Sequence, residues 1–169
     1  MSAKRFVPIR SEIIYYQLGL PINITSVAFI AMEYWAILLN RTFLVFVWDR
    51  YLWGIKVKGI VMAPLPPFEK RWHHLGYFLT DKFFRRYPEI ATPSESLLEK
   101  SWHNFRIDLS EISRVAFDPT PKWGMGTVPH SGKLYLDFKS GKQRELILIS
   151  DQDGHKLASD LQSAVDYFG

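Results

Sequence analysis

The chain has 169 residues, no cysteine, a formal net charge of +4, and a composition that is 47% hydrophobic and 15% aromatic. That is enough apolar material for the core of one domain and argues against a disordered chain. The missing cysteines exclude disulfides, thiolate metal sites and a cysteine nucleophile, and the mild basicity lacks the Lys and Arg concentration of a strong nucleic-acid binder.

The N-terminal stretch "MSAKRFVPIRSE" has basic residues but no apolar segment and cleavage site after them, so a cytoplasmic location is expected. Residues 11–18, "SEIIYYQL", read as a short helix or equally as a strand. Residues 22–39, "INITSVAFIAMEYWAILL", are apolar, but Asn23, Thr25, Ser26 and Glu33 interrupt them. A spanning helix needs about 20 mainly apolar residues, and a central acid is costly there, so no membrane span is expected. Ala36 to Leu39 and Thr42 to Trp48 read as strands, with Asn40-Arg41 as a two-residue turn between them. A third strand, Ile55 to Met62, puts Ile55 and Val57 on one side and Lys56 and Lys58 on the other.

"PLPP" at 64–67 breaks the sheet. Phe68, Trp72, Leu75, Leu79 and Phe83 then recur at helical spacing, which predicts one helix from Phe68 to Tyr87. Thr92, Pro93 and Glu95 resemble a capping box before a second helix, "SLLEKSWH". Phe105 to Leu109 and Ile112 to Phe117 read as short strands, and residues 118–132 as a loop. Leu134, Leu136 and Phe138 alternate with polar residues, "KSGK" turns the chain, and Glu145 to Ile149 completes a hairpin. Ser150 and Asp153 mark the start of a last helix whose apolar face is Leu157, Leu161, Ala164, Val165 and Phe168.

About seven strands closed by a C-terminal helix resemble the pleckstrin-homology-like superfamily, in particular its small bacterial PH-like and GRAM-like domains. "AILLNRTFLVFV" is similar to their first hairpin, and "IDLSEISRVAF" to their short strand, corner and next strand. "GKLYLDFKSGKQRELILI" followed by "LASDLQSAV" resembles their final hairpin and capping helix. The likeness covers about residues 33–63 and 105–168. It implies an α+β, mainly β fold: one domain over 1–169, a bent antiparallel sheet of about seven strands and a C-terminal capping helix. An N-terminal extension (1–32) and a helical insertion (64–103) depart from the family pattern.

In phosphoinositide-binding members of that superfamily, basic residues near the first turn and on the third strand coordinate phosphates. Carried onto this chain, the resemblance names Arg41, Lys56 and Lys58 as an anion or lipid site, although the longer basic first loop of those members is absent. The insertion offers a second surface. Lys82, Arg85 and Arg86 lie beside Trp72, Phe78 and Phe84, a mixture that suits a partner groove or a membrane surface. Catalytic patterns are weak. His73 and His74 are adjacent on the expected helix and diverge, and Gly124-Met125-Gly126 lacks the flanks of a phosphate loop; Asp108, Glu111 and Asp118 lie near one another in sequence, but Asp108 and Glu111 flank a corner and read as solvated. The expected function is therefore a binding module without catalytic residues, metal or cofactor. It would recruit a protein partner or weakly engage an anionic membrane surface, as a cytoplasmic or peripheral protein. The alternative is a small-molecule or enzymatic pocket near the 118–132 loop.

Overall fold

A computed structural model describes residues 27–36, 39–59 and 74–169. It contains seven strands: β1 (Ala28–Ala36), β2 (Leu39–Trp48), β3 (Tyr51–Lys58), β4 (Phe105–Asp108), β5 (Ile112–Asp118), β6 (His130–Phe138) and β7 (Gln143–Ile149). Short helices α1 (Leu75–Phe78), α2 (Asp81–Arg86) and α3 (Ser96–Glu99) lie between β3 and β4, and α4 (Gly154–Phe168) ends the chain. The sheet is antiparallel throughout, in the order β4-β3-β2-β1-β7-β6-β5. It curls into a half-barrel, as the α+β, mainly β reading expects.

Two apolar layers hold it. The inner one takes side chains from all seven strands, including Phe29, Val45, Leu52, Ile107, Val115, Leu136 and Leu148, and α4 covers it with Leu157, Leu161, Ala164 and Val165. The outer layer is built on β1, β2, β3 and β7. It is covered by Leu75, Phe78, Phe83, Tyr87 and Leu97 of the insertion and by Met125 and Val128 of the β5–β6 loop. Strands β1 and β2 are thus buried on both faces, which is why they read as nearly continuous apolar runs instead of alternating.

Double burial also explains the first departure from expectation. Asn40 and Arg41 do not form a turn; they lie inside β2, opposite Tyr34 and Glu33. The tight turn falls at Asp49-Arg50, between the paired Trp48 and Tyr51, and Asp49 takes the left-handed φ of 54° that a short polar residue tolerates. Strand β1 begins at Ala28, inside the stretch expected as an extension. The β1–β7 seam has two residue pairs, Ala31 with Leu148 and Met32 with Ile147. Buried Gln152 extends it: its amide donates to the Ile30 and Ile149 carbonyls at 2.7 and 2.6 Å and accepts from the Ile30 N–H at 3.1 Å.

The insertion also differs. The expected helix from Phe68 to Tyr87 is broken at Leu79-Thr80, where Leu79 leaves helical geometry and the Thr80 hydroxyl accepts from the Phe83 N–H at 3.2 Å, starting α2. Thr92 does not cap α3; Glu95 precedes that helix and its carboxylate binds Arg106 instead. Asp153 caps α4 as expected, accepting from the Lys156 N–H at 2.9 Å. The segment 11–18, Phe68, Trp72 and His73 lie outside the described residues. Among the described residues no helix is long and apolar enough to cross a membrane.

Candidate functional site

Odd-numbered residues of β1 face the inner layer, and Glu33 continues that face beyond Phe29 and Ala31. Register places Arg41 directly opposite it, and the neighbouring strand β7 brings Arg144. The Glu33 carboxylate accepts from Arg41 Nε at 3.2 Å and from Arg144 Nε and Nη2 at 2.7 and 3.1 Å. One acid therefore serves two guanidinium groups. Arg144 also stacks 3.5 Å from the centre of the Phe105 ring, which packs edge-on against Phe43. Phe105 covers Gly54, where a Cβ would collide with the ring.

The other face of Arg41 meets the insertion. Its Nη1 lies 2.9 Å from His103 Nδ1. A guanidinium only donates, so Nδ1 accepts and the imidazole is neutral. The Asn104 carbonyl oxygen accepts from the Lys56 N–H at 2.9 Å and its amide donates to the Leu97 carbonyl at 2.6 Å, tying the insertion to β3. Burial and then the nearby Arg86 and Arg41 charges hold the Lys56 ammonium below the usual lysine range. Burial, then Lys56 and Arg41, likewise lower His103. Arg86 donates to the Lys100 carbonyl at 3.0 Å, while Lys100 pairs with Glu89 at 2.5 Å. Trp102, 77% exposed, lies over the His103 ring with centroids 3.6 Å apart.

Arg41, Lys56 and Arg86 thus all border the 100–104 segment, at His103, Asn104 and Lys100, although Arg41 sits in a strand and not at a turn. Lys58 stands apart, its ammonium 3.4 Å from the centre of the Tyr77 ring and its pKa lowered by burial. On α2, Lys82 and Arg85 are exposed and Phe84 is half-buried against the outer layer. Phe78 is 1% exposed and belongs to the core, so it is no docking residue: the wide aromatic face fills the space between insertion and sheet. Trp72 lies outside the described residues. Sequence reasoning missed Glu33, His103, Asn104 and Arg144 as members of the site. The one available signal was Glu33, an acid inside an apolar run that needs a buried partner.

The carboxylates near the β4–β5 corner are committed elsewhere. Asp108 pairs with Arg50 at 2.8 Å, and Glu111 is exposed. Asp118 is brought down to about 2 by hydrogen bonds from Lys133 and Thr120. Its folded value is depressed, so its stabilising effect is complete above the ordinary aspartate pKa near 4 and is lost as pH falls toward 2. Melting temperature should therefore fall across that window more steeply in the native protein than in Asp118→Asn; equal slopes would show that the pair does not couple to folding. The loop is shorter than expected, residues 119–129, because β6 already begins at His130, whose Nε2 accepts from the Lys122 N–H at 3.0 Å and whose Nδ1 lies 2.8 Å from the Val128 carbonyl. Both ring nitrogens hold the loop together, while Trp123 is 94% exposed at its tip. Among the described residues, no three His, Asp or Glu side chains converge as a metal site.

Comparison with family models, with curated proteins and with solved structures returned no significant match for this chain.

Proposed function

We propose that this domain is a non-enzymatic, PH-like binding module that engages an anionic surface at the junction of sheet and insertion. The observation that carries the reading is that β2, β3 and α2 each attach a basic residue to the same 100–104 segment: Arg41 at His103, Lys56 through its backbone N–H at Asn104, and Arg86 at the Lys100 carbonyl. Glu33 is already shared by two arginines, so the junction keeps an excess of positive charge. An anion would relieve that repulsion. The strand order and the C-terminal helix are in keeping with the PH-like resemblance. Lys82 and Arg85 extend the charge across α2, and exposed Trp102 supplies an amphipathic ring of the kind that settles among lipid headgroups. An anionic membrane surface therefore fits better than an acidic protein. A pocket near the β5–β6 loop has less support, because Lys133, Asp118 and Thr120 bind one another there and His130 is taken up by the Lys122 N–H and the Val128 carbonyl.

Vesicle sedimentation tests the reading. The protein should bind phosphatidylcholine vesicles containing phosphatidylglycerol, bind pure phosphatidylcholine weakly, and lose binding as salt rises. Arg85→Glu with Arg86→Glu should weaken the binding and its salt dependence, leaving the melting temperature nearly unchanged because both side chains are exposed. Equal binding to both vesicle types, or no effect of the double reversal, would overturn the membrane reading. Capture of an acidic protein that the same reversal abolishes would move the site to a protein partner.

A further inference from the structure

We propose that this anion site is proton-gated: it takes a phosphodiester oxyanion, and it takes it more tightly once His103 is protonated. The inference rests on the reading above and adds the ligand class and its control.

In the structure His103 Nδ1 offers a lone pair to Arg41 Nη1. Protonating Nδ1 would set a donor against a donor, so that contact must open. Arg41 stays anchored through Glu33, and its Nη1 is released together with the imidazolium N–H. An oxyanion placed between them would accept from both and turn a repulsive pair into a bridged one.

The surroundings of His103 all favour this direction. Arg41 faces it from β2 and Lys56 from β3. Arg86 of α2 donates to the Lys100 carbonyl on the same segment and its charge acts on Lys56. Glu33 of β1 reaches it only through Arg41, and Arg144 of β7 occupies the rest of that carboxylate. The Ser101 hydroxyl accepts from the His103 backbone N–H at 3.4 Å, and Trp102 covers the ring. With cations closest, the empty site resists the proton. The folded pKa is depressed, so the stability that neutral His103 confers is complete above about pH 6.5 and lost below it. A bound anion reverses that repulsion. By linkage, whatever the proton does for the anion, the anion does for the proton.

The probes are glycerophosphoglycerol, a soluble diester of constant charge, and phosphatidylglycerol vesicles. The His103 imidazole is titrated by NMR with and without the diester, and both probes are assayed near pH 5.5 and 7.5. The diester should raise the His103 pKa by about one unit, and binding should tighten on acidification by severalfold, up to a limit of about tenfold. His103→Gln keeps an acceptor for Arg41 but cannot titrate; it should bind at both pH values with that pH dependence gone. Response to the diester and to vesicles upholds the proposal for a headgroup. Response to the diester alone upholds it for a free ligand. Binding without pH dependence, or a dependence that survives in His103→Gln, overturns the gate and leaves the anion site standing. No binding of either probe at either pH overturns both.

Discussion

Leu161→Ala should lower the unfolding free energy by about 2–5 kcal/mol, the range for truncating a buried leucine. Leu161 is 0% exposed and sits at the middle of the α4 face with Leu157, Ala164 and Val165, over strands that all contribute to the inner layer. The site has little freedom to collapse. Its neighbours lie on a helix tied to β5, where the Val115 N–H donates to Gln162 at 2.7 Å. Urea unfolding measures the effect through the shift in midpoint at constant slope. Leu161→Met, which nearly conserves volume, should cost under about 1.5 kcal/mol. A loss under about 0.5 kcal/mol in Leu161→Ala would mean that α4 does not close the inner layer.

Glu33→Gln should be the most damaging change at the candidate site. The carboxylate is mostly buried and neutralises Arg41 and Arg144 together. Removing its charge leaves two guanidinium groups facing each other beside Lys56. Breaking a fully buried pair costs about 3–5 kcal/mol; with partial exposure of all three side chains, about 2–3 kcal/mol is expected. Added salt should recover part of that loss, because the remaining term is repulsion between partly solvated cations. Arg144→Met in the same chain should recover more, since it removes one of the unpaired charges. Anion affinity should move the opposite way from stability, rising as the net charge of the junction rises. A Glu33→Gln protein as stable as the parent, or one whose loss is indifferent to salt, would show that the carboxylate does not hold the two arginines.

The two ends of this chain differed in how much their residues disclosed. Strand β6 and α4 were legible because each buries mainly one face. Leu134 and Leu136 alternate with Lys133, Tyr135 and Asp137, and Leu157, Leu161, Ala164 and Val165 recur at the helical period. A one-sided element writes its geometry into its own period. Strands β1 and β2 are buried on two sides, so Ala28 to Met32 and Phe43 to Phe46 carry no period, and Asn40-Arg41 could pass for a turn. The insertion hid its break for a related reason. Leu75, Leu79, Phe83 and Tyr87 keep helical spacing across two short helices, and whether Thr80 caps or continues a helix depends on where its hydroxyl turns.

Composition and period therefore determined the fold class, the closing helix and the absence of thiol chemistry. The tertiary structure decided the site. Arg41 and His103 are 62 positions apart, and Glu33 and Arg144 are 111 apart. Strand register and the return of the insertion onto β3 bring them into contact, and no local pattern records either. The same packing decided which aromatic residues of the insertion are core. Burial depends on what lies across the gap, and the sequence of one element does not contain its neighbour.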